Sequence, residues 1–199
     1  TADKADEKII DLSQEFTDDY SFKNYTIVNI GRLTKQKDHL TLLKAFKLVI
    51  NKTKCNLLII GEGSEKENIK NYIRNNDLEN HVKMLGYKSN PWKYLSKSNL
   101  FVLSSIWEGF GNVIVESMLL GIPVISTRCK SGPAEILDNG KYGKLYDMYD
   151  YTKLSELILN EIGSKELRNN SNIAKKRSKD FSIDKITENY IKSFDELLT

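Results

Sequence analysis

Cysteine and histidine are scarce in this chain, two of each in 199 residues, and each scarcity closes off a class of function. Cys55 lies inside an apolar run and Cys129 in a loop-like segment. Neither has the spacing of a metal knuckle or a disulfide framework, so a reducing, cytoplasmic setting fits best. His39 and His81 lack the partner pattern of a catalytic triad or a zinc site, and each reads as ordinary surface or a helix cap. No stretch approaches the roughly 18 unbroken apolar residues of a membrane-spanning helix, and the polar opening Thr1-Ala-Asp-Lys-Ala-Asp-Glu-Lys8 is no signal peptide. The chain is expected to be soluble and cytoplasmic, with peripheral contact at the inner face of a membrane left open. No G-x-x-x-x-G-K-[ST] loop occurs, nor a D-x-D pair of the kind that holds a catalytic divalent ion, and repeats and low-complexity tracts are missing. Thirty basic and 27 acidic residues leave a net charge of +3, too balanced to indicate nucleic acid. The run Lys175-Lys-Arg-Ser-Lys179 reads as a solvated helix face.

What is present is an alternation of two periodicities. Thr26 to Ile30 is a short β-rich run ended by Gly31, and residues 37 to 51 then carry Leu40, Leu43, Phe46, Leu48 and Ile50 near helical spacing. Cys55 to Ile60 repeats the strand, Gly61-Glu-Gly63 turns, and Ser64-Glu-Lys-Glu67 matches a capping box opening a helix. Val82 to Leu85 predicts a third strand, Asn90-Pro-Trp92 a short helix, Leu100 to Leu103 a fourth strand and Gly111 to Leu120 the helix after it. Ile122 to Ser126 makes a fifth strand, Gly132-Pro-Ala-Glu135 another helix start, and Gly143 to Tyr146 a sixth, edge strand. This order implies a Rossmann-like α/β domain, a doubly wound parallel sheet of about six strands with extra C-terminal helices. At about 150 residues per domain, the chain divides into a linker or packing segment, 1–23, and one domain, 24–199. The opening segment has a partial stripe through Ile9, Ile10, Leu12 and Phe16. The closing helices carry Leu154, Leu157, Ile158 and Ile162, then Ile183, Ile186, Tyr190, Phe194 and Leu197.

Chemistry concentrates where strands give way to helices. Glu108 and Glu116 stand eight positions apart around the glycine-flanked turn Glu108-Gly-Phe-Gly-Asn112, at the carboxyl end of a strand, where open α/β sheets bind ligands. The helix start there offers unpaired N–H groups that favour an anion, and Gly109, Phe110 and Gly111 form a nest for oxygen atoms. Glu116 interrupts the apolar run Val113 to Leu120, so its carboxylate needs hydrogen-bond donors. A ribose diol supplies them; a carboxylate capping backbone groups inside the fold explains the spacing equally well. Arg32 and Lys37, in the loop after Gly31, suit a diphosphate, whereas two solvated surface cations are the ordinary alternative. Gly61-Glu-Gly63 fails as a dinucleotide fingerprint because position 66 is lysine, which disfavours an NAD-dependent oxidoreductase.

Taken together, Gly31-Arg-Leu with Lys37, Gly61-Glu-Gly63, Leu85-Gly-Tyr87, the Glu108 to Glu116 element, Gly121-Ile-Pro-Val-Ile125 and Gly132-Pro-Ala-Glu135 resemble the retaining glycosyltransferases of group 1, or family four. The resemblance covers about residues 25 to 195 and implies the carboxyl-terminal, donor-binding half of a two-lobed GT-B enzyme. It implies that Arg32 and Lys37 grip the donor diphosphate, that Glu108 touches the transferred sugar and that Glu116 holds the ribose. Backbone from Gly109 through Phe110, Gly111 and Asn112 to Val113 would meet sugar and phosphates, and Tyr87 and Lys88 would lie by the base. Catalytic work then falls to Glu108, Arg32 and Lys37, with no cofactor and no metal. The implied donor is a nucleotide-diphosphate sugar, most simply a UDP-sugar, and the acceptor a glycan or lipid-linked glycan. Glu135 follows Gly-Pro where many relatives have Gly-Gly, a variant associated with bacterial surface-polysaccharide and N-linked-glycan enzymes. The family's amino-terminal acceptor lobe is expected to be absent, so this half alone should bind donor weakly and transfer almost nothing. A non-catalytic nucleotide-binding α/β regulatory module is the alternative.

Overall fold

The computed structural model describes residues 2–14 and 23–198. The apolar runs form a six-stranded, all-parallel sheet: β1 (Tyr25–Ile30), β2 (Cys55–Ile60), β3 (Val82–Gly86), β4 (Leu100–Leu103), β5 (Val124–Thr127) and β6 (Lys144–Tyr146). The helices are α1 (Ala2–Ser13), α2 (His39–Ile50), α3 (Lys66–Asn75), α4 (Trp92–Leu95), α5 (Asn112–Leu119), α6 (Pro133–Ile136), α7 (Tyr151–Ser164), α8 (Glu166–Asn169), α9 (Ser171–Ser178) and α10 (Ile183–Leu198).

Strand residues alternate between two cores. Ile27, Leu57 and Ile59 pack under α2, α3 and α7, against Leu42, Phe46, Ile69, Leu154 and Ile158. Their neighbours Val28, Leu58 and Ile60 pack on the other face with Tyr94, Ile114, Met118 and Ile136. Strands buried on both faces read as continuous apolar runs, which is why they stood out in the sequence. The strand order β3-β2-β1-β4-β5-β6 reverses direction between β1 and β4. A crevice therefore opens at the carboxyl ends of those two strands.

Several expectations shift. The capping box at Ser64 does not form: α3 begins at Lys66 with no side-chain cap, and Glu67 pairs with Lys70. The fifth strand starts two residues later than read, because Pro123 cannot donate to the ladder and instead lends its carbonyl to Phe101 N–H. The buried stripe of α2 runs through His39, Leu42, Leu43, Ala45, Phe46 and Val49, leaving Leu40 on the exposed side. His39 is thus interior, 1% exposed, rather than surface. In the basic run, Lys175, Lys176 and Lys179 are solvated, but Arg177 is held over Phe181 and donates to the carbonyls of Glu135 and Ile136.

The opening segment is the helix α1, seated on α4: Asn90 Nδ2 donates to Leu12 O and Ser96 Oγ to Ser13 O, both at 2.9 Å. Ile9, Ile10 and Leu12 are half-buried there, and Phe16 lies outside the described residues. On α10, Ile186 and Phe194 are exposed; the side chains of Ile183, Tyr190 and Leu197 lie outside the described residues. Among the described residues, no helix is long and apolar enough to cross a membrane.

Candidate functional site

The loop leaving β1 crosses the loop leaving β2 in backbone contact. Gly31 N–H donates to Ile60 O and Leu33 N–H to Glu62 O. A Cβ at Gly61 would stand 1.9 Å from Gly31 O, at a φ of +149°, so only glycine lets the two loops pass. The glycines read as a failed fingerprint thus have a packing reason.

From β4 the chain runs through Ser104 to Glu108 and is laced to the Arg32–Lys37 loop. Ser104 Oγ donates to Lys37 O at 2.7 Å, Ile106 N–H to Gln36 O at 2.8 Å, and Gln36 Nε2 to Trp107 O at 2.8 Å. From β5, Thr127 Oγ1 donates to Ser105 O at 2.6 Å. The lacing brings Lys37 Nζ to 2.6 Å from Glu108 Oε1, and Ser105 Oγ donates to the same oxygen at 2.5 Å. Both side chains are largely enclosed, 17% and 8% exposed, whereas Arg32 is exposed to solvent.

Gly111, at φ +100°, turns the chain into α5, whose start has no side-chain cap. The positive end of the helix is left to face a cavity of about 310 Å³ lined by Ile30, Lys37, Leu103, Glu108, Phe110, Gly111, Asn112, Val113 and Ile114. A second cavity of about 260 Å³, lined by Ile30, Gly31, Arg32, Ile60, Gly61, Glu62, Tyr87, Lys88 and Pro91, shares Ile30 with the first. Between them they take in Gly31, Arg32, Lys37, Tyr87, Lys88, Glu108, Phe110, Gly111, Asn112 and Val113. Of the predicted site residues, Gly109 and Glu116 line neither. A larger cavity, about 440 Å³ around Tyr25, Asn99 and Arg168, holds none of the predicted residues. It opens at the start of β1, away from the strand ends where α/β sheets place ligands.

Glu116 is half-buried on α5, and its Oε2 accepts from Trp92 Nε1–H at 3.0 Å. Burial raises its carboxyl above the ordinary range, and the Trp92 bond opposes that rise. The alternative of a carboxylate committed to main-chain amides is not what these contacts display. Trp92, Ser105 and Gln36 escaped sequence reasoning. Trp92 had registered only as part of a helix start, and nothing in the spacing tied it to position 116. Among the described residues, no cluster of three or more His, Cys, Asp or Glu side chains could hold a metal ion.

The family model described as glycosyl transferases group 1 matches residues 15–178, a span that contains both cavities. The chain belongs to the group 1 glycosyltransferases. An uncharacterized glycosyltransferase of Methanocaldococcus jannaschii is 36% identical over 197 residues, covering 84% of this chain and 48% of its own length. The N-acetylgalactosamine-N,N'-diacetylbacillosaminyl-diphospho-undecaprenol 4-alpha-N-acetylgalactosaminyltransferase of Campylobacter jejuni is 32% identical over 182 residues, covering 91% of this chain and 49% of that enzyme. Among solved structures, Staphylococcus aureus TarM in complex with fondaparinux, alpha-GlcNAc-glycerol and UDP superposes with a TM-score of 0.80 at 25% identity. That match covers 90% of this chain and 37% of TarM. The group 1 chain described here therefore spans about half the length of the curated relatives it matches, and its sheet is the Rossmann-like domain of GT-B glycosyltransferases.

Proposed function

We propose that this chain is the donor-binding half of a retaining glycosyltransferase in bacterial polysaccharide, lipopolysaccharide or glycan synthesis, and that its donor is a UDP-sugar. The observation that carries the reading is the pair of cavities meeting at Ile30, with the basic loop Gly31 to Lys37 along their border and the uncapped start of α5 facing one of them. A sugar lies in the cavity beside Glu108, the uridine and ribose in the one beside Tyr87 and Lys88, and the diphosphate spans the border. Each space is of the order of a few hundred Å³, the scale of a small-ligand site.

In this reading the bond from the anomeric carbon to the β-phosphate oxygen breaks, and a bond to the acceptor oxygen forms on the same face of the sugar. The acceptor's proton leaves on the departing phosphate. Negative charge grows on that phosphate, and Arg32, Lys37 and the α5 start lie where they can meet it without a metal ion. Glu108, steered by Lys37 and Ser105, accepts from sugar hydroxyls. The acceptor, a glycan or lipid-linked glycan, belongs to an N-terminal lobe of the same polypeptide working at the cytoplasmic face of the membrane. The undecaprenol in the Campylobacter relative's name and the UDP held by TarM support the acceptor and donor classes.

Calorimetric titration with UDP, GDP and ADP tests the donor half. Binding of UDP, weakened by Arg32→Ala and by Glu116→Ala, is expected. Failure of all three in the millimolar range would leave a non-catalytic α/β module. Transfer by the two-lobed protein should persist in EDTA, and loss of transfer there would overturn the metal-free reading.

A further inference from the structure

Trp92 reaches Glu116 from a different element and in an unusual chemical form. Its indole Nε1–H is a neutral donor, so the 3.0 Å bond to Oε2 restrains the carboxylate while leaving its negative charge intact. A lysine or arginine there would hold the group more tightly and neutralise it. Among the described residues nothing bonds Oε1, the second oxygen. The terminal torsion of a glutamate is soft, so a carboxylate without such a tether samples many orientations.

The indole itself is well fixed. Trp92 opens α4, whose Tyr94 and Leu95 are fully buried, and α4 is in turn held by α1 through Asn90 and Ser96. The Trp92 ring packs in the same apolar layer as Ile30, Phe110 and Val113, the residues that wall the 310 Å³ cavity. Its predecessor Pro91 lines the 260 Å³ cavity. Neither Trp92 nor Glu116 lines a cavity itself, but their bond joins the residue after Pro91, at the 260 Å³ cavity, to the helix that opens at the 310 Å³ cavity.

We propose that Trp92 is a positioning residue for the donor: its indole N–H fixes the plane of the Glu116 carboxylate so that Oε1 is presented to the ribose hydroxyl pair. This rests on the donor-site reading above, and it accounts for why a carboxylate is kept in an apolar layer. A carboxylate restrained by a protein donor needs less ordering on binding a ligand than a free one.

Trp92→Phe keeps the ring and deletes the N–H. Titration of the chain with UDP and with 3′-deoxy-UDP should give about a tenfold loss of UDP affinity in the variant and little change for the deoxy ligand. The preference for the intact ribose thus collapses. In a Glu116→Ala background, Trp92→Phe should cost nothing further. A second readout needs no loss of structure. The chain has 2 tryptophans, so the Trp92 indole proton can be assigned with Trp107→Phe and should shift on adding UDP. Equal losses for UDP and 3′-deoxy-UDP, an additive double variant, or an unmoved indole resonance in a nucleotide-saturated chain would each overturn the positioning role alone. A chain that binds no nucleoside diphosphate overturns the donor reading and this inference with it.

Discussion

Lys37 Nζ and Glu108 Oε1, 71 residues apart in sequence, meet at 2.6 Å at the edge of the cavity that faces α5. Because both side chains are largely withdrawn from water, the pair is exposed to the asymmetry of buried charges: breaking it leaves one uncompensated. Lys37→Met should lower unfolding free energy by about 3 kcal/mol, and Lys37→Met with Glu108→Gln should recover most of that loss. On the donor reading proposed above, transfer by a two-lobed protein should fall by about 100-fold or more in both variants, because in that reading Lys37 meets the charge that develops on the diphosphate. Urea unfolding beside a transfer assay separates the two effects. A double variant as unstable as the single would mean that the ion pair is not what holds the loops.

Glu116 is set against stability by its surroundings. Burial raises its carboxyl above the ordinary range, so folding favours the protonated form. That contribution is fully present below the ordinary carboxylate pKa and is lost as pH rises through the folded value, leaving a cost at neutral pH. Glu116→Gln keeps an acceptor for Trp92 and removes the charge. Its melting temperature at pH 7 should exceed that of the unaltered chain by about 2 °C, with the difference gone in acid, while UDP binding weakens. A melting temperature that drops at pH 7 would show that the charge is paid for by the protein itself rather than by a ligand.

The strands were legible because a sheet covered on both faces needs unbroken apolar runs, and Ile27-Val28 or Leu57-Leu58 serve two cores at once. The helix start at Ser64 was misread for a tertiary reason. Glu65 N–H is taken by Leu33 O at 2.8 Å, so that residue serves the loop crossing and α3 waits until Lys66. The phase of α2 was misread because His39 looks polar in a periodicity count yet lies on the buried face, while Leu40 does not. At the candidate site, Glu108, Lys37, Arg32, Gly31 and Gly111 were legible through residue type at strand ends, and all five line one of the two cavities, whereas Gly109 and Glu116 line neither. Trp92 was not legible: its link to Glu116 spans 24 positions and depends on how α4 is docked. No local pattern encodes that docking.

Gly132 offers a test of how tightly the site loop is built. A Cβ there would fall 1.9 Å from Phe110 O, at a φ of +72°, and the obstacle is backbone that cannot swing aside. Gly132→Ala should therefore destabilise the fold by about 3 kcal/mol or more and push the Phe110–Gly111 turn out of place. Urea midpoints would register the first effect and a lowered affinity for UDP the second. A variant with unchanged stability and affinity would mean that the loop after β5 is free to move away from the turn.

His39 should dominate the acid-side stability of the chain. It is enclosed, and among the described residues neither ring nitrogen has a hydrogen-bond partner. Burial, helped by the charge of Lys37, pulls its pKa from 6.5 down to about 4. The unfolded chain therefore takes up a proton on this ring near pH 6.5, while the folded chain refuses it until about pH 4. Stability present above the first value drains away as pH falls towards the second, by a total on the order of 3 kcal/mol. His39→Leu has no proton to take up, so the difference in unfolding free energy between variant and unaltered chain should change steadily across that window and level off on either side. Carboxylates titrate in the lower part of the same range, but they do so equally in both proteins and cancel in the difference. Parallel stability curves for the two proteins would place the ring in contact with water after all.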